Sequence, residues 1–306
     1  MWAIVATILV STSIGVWAEG RYGGRAGAGA RRALLFVLWV VLPPATFFNL
    51  ASADLDVDAG VGIVLAWAAL GVATLLAWLI ASRALRLPRP AVGSVVCCVL
   101  VVNTGYLGYP VVAALLGFDS LSEAVTYDVL VSGALLVLAG FSVGAAFGDR
   151  AGEGARQRVA AFFTRNPPLY AALLALIAPD SLAPDALVDA SRIAVVAILP
   201  LGFFAVGAAL AEEAEEGAMP VPPPLDAPVA TAVAIRLLVA PCLLYVISLP
   251  LIDLPDTYLL LAAMPSGINT MIVTHAYGLD LRVAAGSVAW STAIAVAALV
   301  PLSILA

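Results

Sequence analysis

The apolar residues of this chain fall in runs of about twenty, and that length decides most of what the chain can become. A helix of ~20 apolar residues crosses the ~30 Å hydrocarbon layer of a membrane. Of the 306 residues, 63% are hydrophobic and only 11% are charged. A water-soluble globule of this size would need far more polar surface. The sequence therefore predicts an all-α integral membrane protein.

Polar breaks divide the apolar sequence into ten candidate transmembrane helices. A longer, charged break in the middle separates a first five-helix repeat, 1–148, from a second, 167–306, and we predict a cytoplasmic linker over 149–166. The first run has no basic segment before it, so we expect a retained span rather than a cleaved signal peptide. The ten spans are 1–18, 33–52, 59–82, 91–117, 125–148, 167–180, 191–211, 228–250, 256–277 and 283–305.

The distribution of arginines predicts the orientation of these spans. All 14 basic residues are arginines, and twelve of them lie in the loops after the first, third, fifth and ninth spans. The opposite loops carry aspartates and one arginine, Arg192. Because basic loops remain cytoplasmic, we predict a multi-pass plasma-membrane protein with both termini extracellular. The acidic, proline-containing loop 212–226 departs from the pattern and is interpreted as a flexible linker, with partner binding as an alternative.

Two of the predicted spans, the fourth and the ninth, contain residues that interrupt a helix. Proline lacks an amide hydrogen and glycine leaves the backbone loose. Unwound backbone at membrane depth is tolerated only against protein or a water-filled cavity. Matching breaks in the two halves therefore predict a shared cavity near the midplane. The interrupting residues are Gly105, Gly108 and Pro110 in VNTGYLGYP (102–110), and Pro265 and Gly267 in MPSGINT (264–270).

The broken helices also predict what the cavity binds. Five spans in each half require opposite orientations of the halves, which is the inverted-repeat layout of many secondary transporters. Each break creates a half-helix N-terminus with free N–H groups and a partial charge of about +0.5. Two such ends facing one cavity predict a site for an anion, without a cofactor or a metal. The other side chains predicted to line it are Asn103, Thr104, Tyr106, Ser266, Asn269 and Thr270.

Three further polar residues are accessory candidates within the predicted spans. Arg236 either attracts the substrate carboxylate or extends toward the cytoplasmic interface. Asp128 is either a proton carrier or an interfacial carboxylate near a helix start. Asn49 follows Pro43 and Pro44, and is a candidate for the cavity wall.

At these residues the chain resembles the auxin efflux carrier family in its short prokaryotic form. The resemblance covers nearly the whole chain, and its motifs in the fourth and ninth spans are the most specific. The matching stretches are VLPPATFF, NTGYLGYP, NPPLYAALLALIAP, LPLGFFAVGAAL and MPSGINTMIVTHAYGLD.

The resemblance implies ten helices in two inverted five-helix repeats, with broken helices 4 and 9 crossing around Pro110 and Pro265. It also implies a scaffold domain and a transport domain that shifts like an elevator. The implied substrates are small organic anions, either auxin-like carboxylates or dicarboxylates such as malate and malonate. The lipid bilayer is the other expected partner, nucleic acid is not expected, and a homodimer stays open.

Several alternatives are weighed against this interpretation. An enzyme is disfavoured because the sequence offers no catalytic grouping of Ser, His and Asp and no HExxH motif. A sodium-coupled symporter of bile-acid type shares the crossed helices but should offer more Glu, Gln and Asn ligands, and no glutamate falls in a predicted span. A cation/proton antiporter would need aspartates at midplane depth, where only Asp128 comes close. Cys97, Cys98 and Cys242 are predicted to be small buried apolar residues.

Overall fold

A computed structural model of the chain describes residues 2–53, 57–149, 167–215 and 223–305. In this part of the chain the regular structure is helical, apart from one isolated antiparallel bridge. Nearly all of the predicted linker, from 150 to 166, and the middle of the acidic loop, 216–222, lie outside the described residues.

In chain order the principal helices are α1 (Trp2–Tyr22), α2 (Arg25–Ala51), α3 (Val57–Ala84), α4 (Arg89–Leu100), α5 (Tyr109–Leu115), α6 (Leu121–Phe147), α7 (Pro167–Ala175), α8 (Asp185–Ala197), α9 (Leu199–Glu215), α10 (Ala227–Ser248), α11 (Asp256–Ala262), α12 (Asn269–Tyr277) and α13 (Leu281–Leu305).

Seven helices in the described part of the chain are long and apolar enough to cross a membrane. These are α1, α2, α3, α6, α10, α13 and the pair α8 and α9, which only Ile198 separates. The fourth and ninth predicted spans are each divided into two shorter helices, and the sixth contains only the 9 residues of α7. An integral membrane helical bundle is thus confirmed, while the count of ten crossings stays a prediction.

Three prolines within helical segments share a local pattern. Pro43, Pro110 and Pro241 each lie two residues after a π-helical turn. A proline removes one helical hydrogen bond and its ring clashes with the carbonyl four residues earlier. The wider π turn accommodates that loss without ending the helix. The turn before Pro241, Ile235–Val239, also sets the direction of Arg236.

The helices pack in two groups. In the first group α1 lies along α9, and α2 contacts α7, α8 and α9. In the second group α4 lies at the centre and contacts α3, α6, α10 and α13. The most extensive contact between the groups joins the carboxyl-terminal part of α2 to the start of α6.

Small residues allow α1 and α9 to approach backbone to backbone. A Cβ atom on Gly15 would overlap the carbonyl oxygen of Phe204, and one on Gly207 would overlap that of Thr12. Close approach of this kind maximises dispersion contacts where lipid removes the hydrophobic drive for association. The glycines of these two helices therefore fix the spacing within the first group.

Two expectations from the sequence need correction. Cys97 and Cys98 are buried, but Cys242 is exposed on α10. Its prediction was wrong because an apolar residue can face lipid as readily as protein. The first span was predicted to end at residue 18, with no glutamate in any span. Instead α1 continues to Tyr22 and includes Glu19, which is 1% exposed.

The carboxylate of Glu19 is satisfied by backbone amides. Its two oxygens accept hydrogen bonds from Gly24 N and, at 2.7 Å, from Gly27 N, where the chain enters α2. Gly24 has φ 72°, a left-handed conformation that favours glycine. A carboxylate on the positive end of a helix is stabilised by the helix dipole, so Glu19 closes the turn between α1 and α2.

Candidate functional site

The first break separates α4 from α5. Helix α4 ends at Leu100, and Val101 is extended at φ −91° and ψ 115°. A π-helical turn, Thr104–Gly108, then leads into α5. Pro110 lies at the second position of α5, in the first turn of the helix, where proline is tolerated because amide hydrogens there have no helical acceptor. The sequence motif thus stops one helix and starts the next within a few residues.

The second break separates α11 from α12. Helix α11 ends at Ala262, and α12 starts at Asn269. Pro265 lies between them and has no amide hydrogen to bond within a helix. Both predicted interruptions therefore coincide with real ends of helices.

The two breaks meet each other through their backbones. Val102 and Ser266 form the antiparallel bridge. Asn103 N donates to Pro265 O at 2.9 Å, and Gly267 N donates to Val101 O at 2.7 Å. The backbone groups that the helices leave free are thereby paired across the crossing, as an apolar environment demands.

Glycine and serine residues allow this close approach. A Cβ atom on Gly267 would lie 2.8 Å from Val102 O, so a larger residue there would push the segments apart. The Ser266 hydroxyl donates to Cys98 O at 2.7 Å, and Ser266 N donates to the Ser291 hydroxyl at 3.1 Å. Ser266 therefore joins three helices at one point.

Two predicted site side chains are buried at the crossing and have polar atoms without a hydrogen-bond partner among the described residues. Asn103 is 2% exposed, and neither its amide nitrogen nor its amide oxygen has a hydrogen-bond partner among the described residues. Thr270 is 0% exposed, and its hydroxyl also has no hydrogen-bond partner among the described residues. A buried polar group without a partner costs about 1–3 kcal/mol. The crossing thus holds unused hydrogen-bonding capacity on both broken helices.

Asp128 lies at the first break rather than at an interface. Its carboxylate accepts hydrogen bonds from the hydroxyl of Thr104 and, at 2.6 Å, from that of Tyr109. An ideal Cβ on Gly105 would be 3.8 Å from the same carboxylate. The negative charge therefore lies at the N-terminal end of the α5 half-helix, where it opposes the positive partial charge of that end.

Tyr106 and Asn49 make their contacts with the first helix group. The ring of Tyr106 packs on Gly202 of α9, and a Cβ there would be 2.7 Å from the ring's Cγ. Asn49 is 0% exposed and donates to the Ser191 hydroxyl at 2.7 Å, which ties α2 to α8. Tyr106 thus links the crossing to α9 of the other group.

Arg236 is fully buried beside both breaks. Its guanidinium donates to Val99 O at 3.0 Å and to Ala262 O. It does not extend to the helix end, so the interfacial alternative does not describe its place.

Sequence reasoning missed three residues at this site. Tyr109 belongs to the predicted motif but was not singled out, although a tyrosine between a glycine and a proline within a span was a usable signal. Gly202 lies in LPLGFFAVGAAL, which was used for the family resemblance and not for the site. Ser291 gives no local signal, because its role depends on how α13 packs.

An apolar helical bundle with two broken helices crossing inside it has the architecture of a membrane transport protein. The family model described as membrane transport protein matches residues 160–303. An uncharacterized transporter from Methanocaldococcus jannaschii is 23% identical over 270 residues, which span 82% of this chain and 82% of that protein. The chain is therefore similar to membrane transport proteins over its second half and to a transporter over most of its length, and these similarities point to a transporter rather than an enzyme.

Proposed function

We propose that this transporter moves a small organic anion across the plasma membrane through a site at the crossing of the two broken helices. The substrate class is an auxin-like carboxylate or a dicarboxylate such as malate or malonate. The crossing itself carries the proposal, because buried Asn103 and Thr270 offer unpaired polar atoms beside the bridge between Val102 and Ser266.

The free polar atoms suit a carboxylate guest. A carboxylate accepts several hydrogen bonds, and the amide nitrogen of Asn103 and the hydroxyl of Thr270 are donors. Asn269 begins α12, where the positive end of the helix dipole favours a negative charge. The proposed site therefore binds an anion without placing a lysine or arginine side chain on it.

The two helix groups support alternating access by an elevator-like shift. The crossing belongs to the group centred on α4, and the group of α1, α2, α7, α8 and α9 would stay in place. Tyr106 on Gly202 is a contact at their boundary. In this proposal ten spans form two inverted five-helix repeats, with both termini extracellular.

Flux assays on purified protein in liposomes test the site. Labelled malate, malonate and indole-3-acetate are offered as substrates, and Asn103→Ala and Asn269→Ala are compared with wild type. Ser142→Ala, which alters an exposed hydroxyl on α6, is the matched control. Loss of affinity in both asparagine variants, with the control unchanged, is the expected result.

Unaltered rate and affinity in both asparagine variants would remove the site assignment. Replacing sodium with choline in the same assay addresses coupling, and we expect unchanged flux. A strict requirement for sodium would instead favour the symporter of bile-acid type.

A further inference from the structure

The buried cation at the crossing, Arg236, is not part of the anion site proposed above. Arg236 of α10 is 0% exposed, and among the described residues no carboxylate forms an ion pair with it. An uncompensated charge in an apolar interior is very unfavourable. Whatever compensates Arg236 is therefore important to the fold of this region.

The compensation comes from carbonyl groups that the breaks leave without their helical donors. In an unbroken helix the Val99 carbonyl would accept from Asn103 N, and the Ala262 carbonyl from Ser266 N. Both amides are used elsewhere, on Pro265 O and on the Ser291 hydroxyl. The missing donors are replaced by the two terminal nitrogens of Arg236.

The charges also match. The carboxyl end of a helix carries a partial charge of about −0.5. Helices α4 and α11 both end beside this guanidinium, so their combined charge is about −1 and offsets its single positive charge. A guanidinium presents its donors as a rigid planar fork, whereas the ammonium of lysine is a compact charge on a flexible chain.

We propose that Arg236 is the positioning residue of the crossing. One guanidinium caps the carboxyl ends of both broken helices and holds the two breaks at a fixed separation. Its charge is used there and not on the transported anion. The capping stands on the hydrogen bonds alone, whereas its effect on transport rests on the proposed function.

Hydrogen exchange of the purified protein, without any substrate, tests the capping. In Arg236→Gln we expect the backbone amide hydrogens of both 99–104 and 262–267 to exchange about tenfold faster or more, because each segment loses a hydrogen bond to a charged group. Arg236→Lys should be intermediate, since it restores the charge but not the fork. Ser291→Ala is the matched control and should accelerate only 262–267.

The pattern across the variants decides the question even if Arg236→Gln does not fold, since Arg236→Lys must then show acceleration in both segments. Acceleration in one segment or in neither overturns the proposal. The proposal is also overturned if an Arg236 variant shows unchanged exchange but loses affinity for dicarboxylates more than for monocarboxylates, because Arg236 would then contact the substrate. Failure of every anion to be transported would instead count against the proposed function and leave the exchange result standing.

Discussion

The carboxylate of Asp128 should oppose the anion that the crossing binds. It lies at the start of the α5 half-helix, held by the hydroxyls of Thr104 and Tyr109. For an anion bound at the crossing we take a separation from this carboxylate of about 4–6 Å. At an effective dielectric constant of about 20, two negative charges at that separation repel by roughly 3–4 kcal/mol.

Asp128→Asn removes that charge and keeps an oxygen for the hydroxyl donors. Allowing for the partial exposure of the carboxylate and screening by its donors, we expect the dissociation constant for the anion to fall about ten- to hundredfold at neutral pH. Binding titrations of the variant and the wild type at neutral pH measure this effect.

The matched control is Asp119→Asn. Asp119 carries the same charge in the segment before α6, but its side chain is fully exposed and pairs with Arg192 at 3.0 Å. An exposed pair is worth little, so the control should alter affinity less than twofold. If Asp128→Asn leaves affinity unchanged or weakens it, Asp128 does not face the anion.

Two other substitutions test packing around the site. Gly202→Ala should destabilise the protein by about 1–3 kcal/mol, because the added methyl overlaps Tyr106. Adding Tyr106→Val should restore stability, and thermal unfolding in detergent measures both effects. The control is Gly71→Ala, since nothing lies within 4 Å of a Cβ atom there. Glu19→Gln should lower the unfolding free energy by about 1–2 kcal/mol, because one backbone amide then faces an NH2 group and the other keeps only a neutral oxygen acceptor. An unaltered unfolding midpoint in either case contradicts the contact concerned.

The breaks could be predicted because their causes are local. Gly105, Pro110, Pro265 and Gly267 weaken a helix through their own backbone chemistry, and they cluster in the two segments where the fourth and ninth predicted spans break. Burial of the predicted site residues follows, since an apolar surrounding accepts interrupted backbone only against other protein.

The partners of charged side chains could not be predicted, because they depend on tertiary packing. Arg236 lies 137 positions from Val99, and no periodicity relates them. One of the two alternatives for Asp128 placed it at an interface near a helix start, but the π-helical turns of α6 and the first break bring it to Thr104. Burial of Glu19 was missed because a charge at a span end is ordinarily taken as the boundary.

Taken together, the charges make the crossing asymmetric. The carboxyl ends of α4 and α11 are offset by Arg236, and the amino end of α5 is offset by Asp128. Among the described residues no carboxylate accepts a hydrogen bond from Asn269 or Thr270 at the amino end of α12. The transported anion should therefore lie nearer to Asn269 than to Asn103, and Asn269→Ala should weaken binding about tenfold more than Asn103→Ala, as expected for one hydrogen bond to a charged group. Equal losses in the two variants, measured by the same titration, would mean that both helix ends share the anion and that Asp128 does not neutralise the first of them.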